Sequence, residues 1–407
     1  MRVLPPPQPG EEVAWVRHHL GDLCAEPPSE VAASPAFRGG QTAADARLAA
    51  FDVTGYASDR NEVWPPARRG ASGLSPYIRH GLLPLRRVWD HVGDGPPRDV
   101  RRYRDELAWQ EYARHLYARL GRRLGTPLRV LPDASGSSPV SPWDRALACV
   151  DVSLSELERD GWMVNQTRMW LASHWTVRHR WPWLDGEDAF FTHLLDGSRA
   201  ANRLGWQWTV GAATGRPYGF SRAQVERRAP GLCRRCPLSG ACPIEDAPLD
   251  PTGQPVEPDP RLRHDPDPAT TAGPTEPDVT GCPQQVWLTA ESLGDADPAL
   301  QAHPGLPAVF VLDETLLARL RLSGKRLVFL AETLADLATR RPLEVHRGDP
   351  TEVLAERRLA VTFTPVPGWR RRAVRLRPVA VHPYPWLARP GDGPLTSFSA
   401  WRRHTVL

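Results

Sequence analysis

Two groups of side chains stand out for the chemistry they could do. The first is LCRRCPLSGACPIE, where Cys233, Cys236 and Cys242 form a CxxC followed six residues later by another cysteine. Three thiols so close together in a protein without signs of secretion point to a metal site, either zinc or an iron–sulfur cluster. Such a site needs a fourth ligand, and Cys24, Cys149 and Cys282 are the other thiols in the chain. The second group is tryptophan: eight of the 16 lie between Trp143 and Trp208. Indole is largely buried on average but seldom completely so. A cluster of this density packs either as a wide aromatic core or as a surface for flat, ring-shaped ligands.

Composition bounds what those groups can belong to. A chain of 407 residues can hold two domains with real cores, and 41% hydrophobic with 24% charged residues is ordinary for a globular protein. Basic residues exceed acidic ones by only 51 to 47, so no chain-wide affinity for polyanions is expected, although a few placed arginines can still hold phosphates. The amino-terminal MRVLPPPQPGEE lacks the apolar core of a signal peptide, and no run is long and apolar enough to span a membrane. The expectation is a cytoplasmic protein with no membrane partner, whose cysteines are free or metal-bound.

These side chains need elements to position them. A Pro-rich arm leads into the amphipathic VAWVRHHLGDLC. The run QTAADARLAAFDVTGYASDRN reads as a helix, with Thr42 as N-cap and Ala44, Leu48 and Phe51 on one face. In GASGLSPYIRHGLL, Ser75 before Pro76 marks a helix start; its small-residue turn offers N–H groups and hydroxyls to a phosphate, and a plain cap explains the same residues. Arg101 to Leu124 reads as a long helix with Leu107, Tyr112, Leu116 and Leu120 along one side. A Gly/Pro/Ser loop covers 125–142, and helical patterns resume from Trp143 to about residue 210. Residues 1–245 thus form a helical domain. Residues 246–283, rich in Pro and acidic side chains, form a semi-extended linker. From 284 to 407, QVWLTA, AVFVLD, LEVHRGD, LAVTFTP and PVAVHP have strand length, and RLVFLAETLADLATR has helical spacing. Strands alternating with helices predict a smaller, doubly wound α/β domain. No GxGxxG follows any of these strands, so the dinucleotide fingerprint is missing.

Four stretches, in order between Ser72 and Trp208, resemble motifs of one family: SGLSPYIRHG, ELAWQEYARHL, DGWMVNQTRM and LLDGSRAANRLGWQW. They are similar to the flavin-binding domain of the DNA photolyase and cryptochrome family. The α/β part, from VWLTAESLGDADPAL through RGDPTEVL to TSFSAWRR, resembles that family's antenna domain, which normally comes first. The chain therefore resembles a circularly permuted photolyase. The family's FRRDLR is replaced by TAES, which leaves the antenna chromophore open.

The resemblance implies a helical FAD-binding domain followed by a Rossmann-like α/β domain. Tyr56, Ser72, Leu74 and Ser75 would hold the phosphates and ribityl chain, and Asn165, Arg168, Asp196 and Ser198 would line the cofactor, with Arg168 and Asp196 as an ion pair. Asn202 would face flavin N5. Trp206 and Trp183 match the inner members of an electron-transfer chain whose distal member has no clear match; Trp175 or Trp181 could substitute. Glu106, Trp109, Met169 and Trp208 match the walls of a lesion pocket for damaged DNA. Val164, Gln166, Gln110 and Ser198 depart from the motifs, and two of these replace cationic DNA contacts. His80 and His115 fall in no motif and read as surface or core histidines. One subgroup carries an iron–sulfur cluster, which implies a [4Fe-4S] site at Cys149, Cys233, Cys236 and Cys242, with structural zinc as the alternative. Cys282 could replace Cys149. The implied activity is that of a light-dependent deoxyribodipyrimidine photolyase, a lyase; the alternative is a cryptochrome-like blue-light photoreceptor. No protein partner is implied.

Overall fold

The computed structural model describes residues 2–134, 136–138, 143–248 and 253–407. Parts of the expected 125–142 loop and positions 249–252 of the expected linker lie outside the described residues. Among the described residues no helix is long and apolar enough to cross a membrane.

The C-terminal part is a sheet of seven strands in the order β1-β7-β6-β5-β8-β9-β4. Its centre consists of the expected runs: β5 (Gln285–Leu288), β6 (Ala308–Asp313), β7 (Leu343–Gly348), β8 (Leu359–Thr362) and β9 (Ala380–His382), all parallel. Near-continuous apolar runs such as AVFVLD suit a sheet covered on both faces. The edges come from elsewhere. β1 (Arg2–Leu4) pairs antiparallel with β7, and β4 (Asp278–Val279) pairs antiparallel with β9. The first residues therefore belong to the α/β sheet and not to the helical domain. The expected linker is only partly a linker: it supplies β4, a helix at Pro268–Ala272, and β3 (Gln254–Pro255), which pairs with β2 (Val130–Leu131) of the helical part. Edge pairing satisfies backbone groups without a large apolar side chain, so composition alone does not reveal it.

The helical half departs from expectation at its caps. The 41–61 run breaks into helices Gln41–Ala49 and Tyr56–Asp59. Gly40, at φ 108°, precedes the first helix, so Thr42 is not its N-cap and donates instead to Asp336 Oδ1 at 2.7 Å. Ser75 lies inside its helix, Ser75–Arg79, with Leu74 before it. The expected long helix spans Pro97–Leu120 and ends in a 3-10 turn at Gly121–Gly125.

The helix Gly324–Ala338 fastens the two halves. Glu332, Thr333 and Asp336 accept from the backbone N–H groups of Gly39, Gly40 and Gln41 at 2.6, 3.1 and 2.7 Å. A side chain on Gly39 would meet Phe329 O at 2.1 Å, so only glycine permits this approach. On the opposite side the Pro97–Leu120 helix is a spine for the last residues of the chain. Buried Glu111 accepts from Leu387 and Ala388 N–H at 2.6 and 3.1 Å. Trp401 Nε1 donates to His115 Nδ1 at 2.9 Å, while His115 Nε2 lies 2.8 Å from Ala388 O. Burial holds His115 down at about 4, so it is a neutral core histidine. Arg119, 6% exposed, donates to Asp265 Oδ2 at 3.0 Å and to the carbonyls of Arg261, Gly391 and Gly393.

Two outcomes follow. Arg119→Leu strands the buried Asp265 carboxylate and should cost about 3–5 kcal/mol in urea unfolding, with Asp265→Asn recovering part of the loss. Burial pushes the Glu332 carboxyl up to about 7 from its ordinary 4.5, against the Gly39 N–H that favours the anion. A raised value in the folded state means that its contribution is complete below 4.5 and is lost as pH rises through about 7. Glu332→Gln should flatten that part of the stability–pH curve, read from urea midpoints across the window.

Candidate functional site: a cavity between the two halves

A cavity of about 1120 Å³ opens where the helical half faces the C-terminal ends of β5 and β6. That exceeds the usual pocket for a small ligand, roughly 300–1,000 Å³. The helix Asn165–Ala172 brings Asn165, Arg168 and Met169 to it. The helix Arg199–Thr209 brings Asn202 and Trp206, and the turn before it brings Asp196 and Ser198. Tyr56, Ser72, Ser75, Glu106 and Trp109 complete the wall. Three of the residues given flavin, inner electron-transfer or lesion roles do not line it. The Leu74 side chain is fully buried in the core, Trp183 is buried behind the wall, and Trp208 is 39% exposed beside Tyr218, with ring centroids 6.4 Å apart.

Arg168 grips Asp196 with both nitrogens, NH1 to Oδ1 at 3.2 Å and NH2 to Oδ2 at 2.8 Å. It also donates to Met163 O through Nε (3.1 Å) and Nη2 (3.0 Å), so four of the five guanidinium N–H groups are engaged. Ser72 accepts from Tyr103 Oη at 3.1 Å, and Ser75 Oγ accepts from Trp162 Nε1 at 3.0 Å. Gly73 between them has φ 67°, the left-handed conformation that glycine adopts without strain. Ser198 is the N-cap of its helix, accepting from Ala200 N at 3.3 Å.

Glu187 was not singled out from sequence. It is 0% exposed and binds Arg199 NH1, Arg203 Nε (3.4 Å) and Asn202 Nδ2 (2.8 Å). Burial raises its carboxyl, and the two arginines pull it back down. The Asn202 amide also donates to Glu187 O at 3.1 Å, which leaves Oδ1 as the pole free for the cavity. The DGED sequence carrying Glu187 has no motif signal; only the fold shows what it faces.

Arg326 reaches in from the α/β half. It donates to Phe191 O and, at 3.2 Å, to Gly197 O. Arg326 and Arg199 both stack on the Phe191 ring, at 4.6 and 3.8 Å. Burial, then Arg79, lowers the Arg326 guanidinium to about 9. Among the described residues, four buried donors of lining residues, Trp206 Nε1, Arg79 Nη1, Arg60 Nε and Trp369 Nε1, have no hydrogen-bond acceptor. His80 also lines the cavity; burial holds it neutral, down at about 3, with Nδ1 2.9 Å from Pro76 O. Glu106 pairs with Arg60 at 3.4 Å and keeps 41% of its side chain exposed. Trp109 leans on Phe398 of the C-terminal tail, with centroids 5.2 Å apart. Gln110 lines the cavity, but Gln166 is buried and donates to Tyr218 Oη at 2.7 Å.

Away from this cavity, Cys149, Cys233, Cys236 and Cys242 line one small pocket with Leu147, Val225, Leu232 and Ile244. Ala148 N lies 3.5 Å from Cys236 Sγ. Burial, then the neighbouring Cys233, pushes the Cys149 thiol up to about 12. Among the described residues, no three His, Cys, Asp or Glu side chains close on a single metal ion. Cys24 is buried far along the chain, with Sγ 3.4 Å from Leu20 O, and Cys282 is exposed; neither lines this pocket.

Residues 103–224 match the family model described as the FAD binding domain of DNA photolyase. Deoxyribodipyrimidine photo-lyase of Synechococcus sp. is 33% identical over 189 residues, which are 42% of this chain and 38% of that protein. A Thermus thermophilus protein of the same name is 31% identical over 221 residues, 51% and 50% of the two chains. The chain thus spans half or less of the length of these relatives. Among solved structures, a bacterial class III photolyase from Agrobacterium tumefaciens is similar at 26% identity and TM-score 0.40, covering 48% of this chain and 44% of that one. A Synechocystis cryptochrome is similar at 22% identity and TM-score 0.43, with the same coverages of 48% and 44%.

The packing of the wall is tight at one residue. A Cβ on Gly186 would lie 2.2 Å from Trp206 Cη2 and 3.0 Å from Trp175 Cδ2. Gly186→Ala should therefore cost about 1–3 kcal/mol in thermal or urea unfolding and shift the tryptophan emission. Unchanged stability and emission would contradict this packing.

Proposed function

We propose that the helical half of the chain, which matches the FAD binding domain of DNA photolyase over residues 103–224, holds FAD in its cavity and that the protein is a light-driven photolyase acting on pyrimidine dimers in DNA. The observation that carries the reading is one cavity bordered by the Arg168–Asp196 pair, the oriented Asn202 amide, the unpartnered Trp206 N–H and the Trp109 ring. Bound there, reduced FAD supplies under light an electron for dimer splitting and takes it back.

The chain's own residues do the placing. Arg168 and Asp196 present a paired charge to the ring system, since an unpaired charge in a dry cavity would be costly. Asn202 Oδ1 offers a neutral acceptor at N5, held by Glu187. Ser72, Ser75 and the Gly73 turn receive the phosphates and ribityl chain, with Arg79 as a nearby cation. Tyr56 packs beside them on Tyr103, with ring centroids 4.7 Å apart. On the lesion side, Glu106, Trp109 and Met169 form the wall, with Trp208 outside it as an exposed ring for the flanking strand. A dimer leaves the stack more readily than an intact pair, and each base regained on an aromatic wall is worth about 1–3 kcal/mol. Arg60, Arg122 and Arg203 on the cavity wall supply cationic character that Gln110 and Gln166 do not.

The same reading takes the domain order as a permutation of that in the relatives, with the tail at Phe398–Arg403 returning to the Pro97–Leu120 helix. It takes the four-cysteine pocket as the seat of a [4Fe-4S] cluster that staples the 233–245 loop to the Ala148–Asp160 helix. Zinc would gather four sulfurs around one ion at about 2.3 Å. A cluster gives each thiolate its own iron, and four cysteines lining one pocket supply the donor set it requires. A photoreceptor without repair is the second reading, favoured by the inward turn of Gln166.

Illumination of the anaerobic, reduced protein with dimer-containing DNA should remove dimers in light and not in darkness; a flavin-loaded protein that leaves them intact contradicts repair. Iron and acid-labile sulfide should be found in equal amounts and be lost in Cys149→Ala. Zinc without sulfide contradicts the cluster.

A further inference from the structure

His174 and His179 lie outside both the cavity and the four-cysteine pocket. On an α-helix, two side chains five residues apart point about 140° away from each other. Here the chain runs through a π-helical stretch, Ser173–Arg178, and its wider turn brings the two rings to 4.5 Å between centroids. Their Nε2 atoms lie 3.4 Å apart, and among the described residues neither ring has another hydrogen-bond partner. His174 is 3% exposed and its Nδ1 is unpartnered, whereas His179 is exposed. Trp181 stacks on His179 at 4.5 Å and 13°, which sets the plane of that ring.

We propose that His174 and His179 are the two protein ligands of a divalent transition-metal site, zinc foremost, with water completing the shell. The site is independent of the flavin reading. The nitrogen separation carries it. Two zinc–nitrogen bonds of about 2.0–2.1 Å at a tetrahedral angle hold their nitrogens about 3.3–3.4 Å apart. A good N–H hydrogen bond is shorter, roughly 2.7–3.2 Å. Another pair of rings, His303 and His382, has Nε2 atoms 3.1 Å apart and fits the hydrogen bond instead. Burying an imidazole nitrogen without a good partner is costly, and a cation between the rings engages both lone pairs.

The surroundings leave both rings ready to bind. Burial, then His179 and Arg178, holds His174 down at about 3, and burial, then Arg178, lowers His179. Both imidazoles are therefore neutral near neutral pH, the form that ligates. The neighbouring guanidiniums have partners of their own. Arg178 donates to the carbonyls of Phe220, Pro243 and Asp246, and Arg180 pairs with Asp133 at 3.3 Å. Imidazole suits zinc, copper and nickel, while calcium and magnesium require oxygen donors. Uptake balances without net proton release: the proton shared between the two Nε2 atoms passes through water to Nδ1 of the exposed His179. A five-residue spacing has no metal signal on an α-helix, so only the π turn reveals the pair.

The test titrates zinc chloride into the full chain in a phosphate-free buffer near neutral pH, read by calorimetry and by melting temperature. Wild-type protein should bind a zinc ion that His179→Ala, a change at an exposed position, weakens by about tenfold or more. His303→Ala should leave that binding unchanged. Only the folded chain holds both rings together, so zinc should raise the melting temperature of the wild type more than that of His179→Ala. Zinc taken up by the cysteines is common to both proteins and cancels in the comparison. Equal affinities and equal shifts in the two proteins overturn the site, as does a loss confined to His303→Ala. A His179→Ala protein that is less stable without zinc, yet gains as much from it as the wild type, has lost a hydrogen bond only and overturns the site as well. In crystals soaked in zinc chloride the anomalous peak should lie about 2.0–2.1 Å from both Nε2 atoms; peaks only elsewhere contradict the assignment.

Discussion

Glu187 is a carboxylate with no access to water, and the site depends on how it is satisfied. A buried charge must be paired and hydrogen-bonded or it destabilises the fold by several kcal/mol. Here Arg199, Arg203 and Asn202 all converge on it from the next helix. That fixes the register of Trp183–His193 against Arg199–Thr209. In that register Gly186 faces Trp206 and Trp175, and Asn202 faces the cavity with its amide already oriented. One electrostatic requirement thus sets both the polar face of the site and the aromatic contacts behind it.

The two halves of the molecule are bound by the same kind of constraint. Arg326 is buried, pairs with no carboxylate among the described residues, and is held by the carbonyls of Phe191, five residues before Asp196, and Gly197, just after it. The α/β half therefore reaches the loop that carries the Arg168–Asp196 pair. Glu332 and its neighbours hold the Gly39–Gln41 turn from the same helix. On the far side Arg119 and Glu111 tie the spine helix to the end of the chain, whose Phe398 backs Trp109. The cavity lies between these ties, so its shape depends on contacts made by residues far apart in sequence.

How much of this could be read in advance differs by feature. The five parallel strands and the helix Gly324–Ala338 were legible because apolar runs of strand and helix length are strong local signals. Arg168, Asp196 and Asn202 were named through the motif resemblance and not from local pattern, and they border one cavity. The edge strands were not legible. Arg2–Leu4 is three residues long and finds its partner at Val345–Arg347, and Asp278–Val279 sits in a stretch whose composition suggests only a linker. The caps at Thr42 and Ser75 were misread because the competing partners, Asp336 and Trp162, are distant in sequence. Glu187 and Arg326 carry no local pattern, since a charged residue on a helix ordinarily faces water. The inner role given to Trp183 came from the motif resemblance; the structure adds only that its side chain is buried and does not line the cavity.

The central claim is that this cavity is a flavin site, and the direct measurement is cofactor stoichiometry. Purified protein, reconstituted with excess FAD if needed and freed of unbound ligand, is heat-denatured and the released compound identified by chromatography. The account predicts one FAD per chain, with Asp196→Ala, which leaves Arg168 unpaired in the cavity, losing most of it. A folded wild-type protein that retains no FAD after reconstitution would contradict the account.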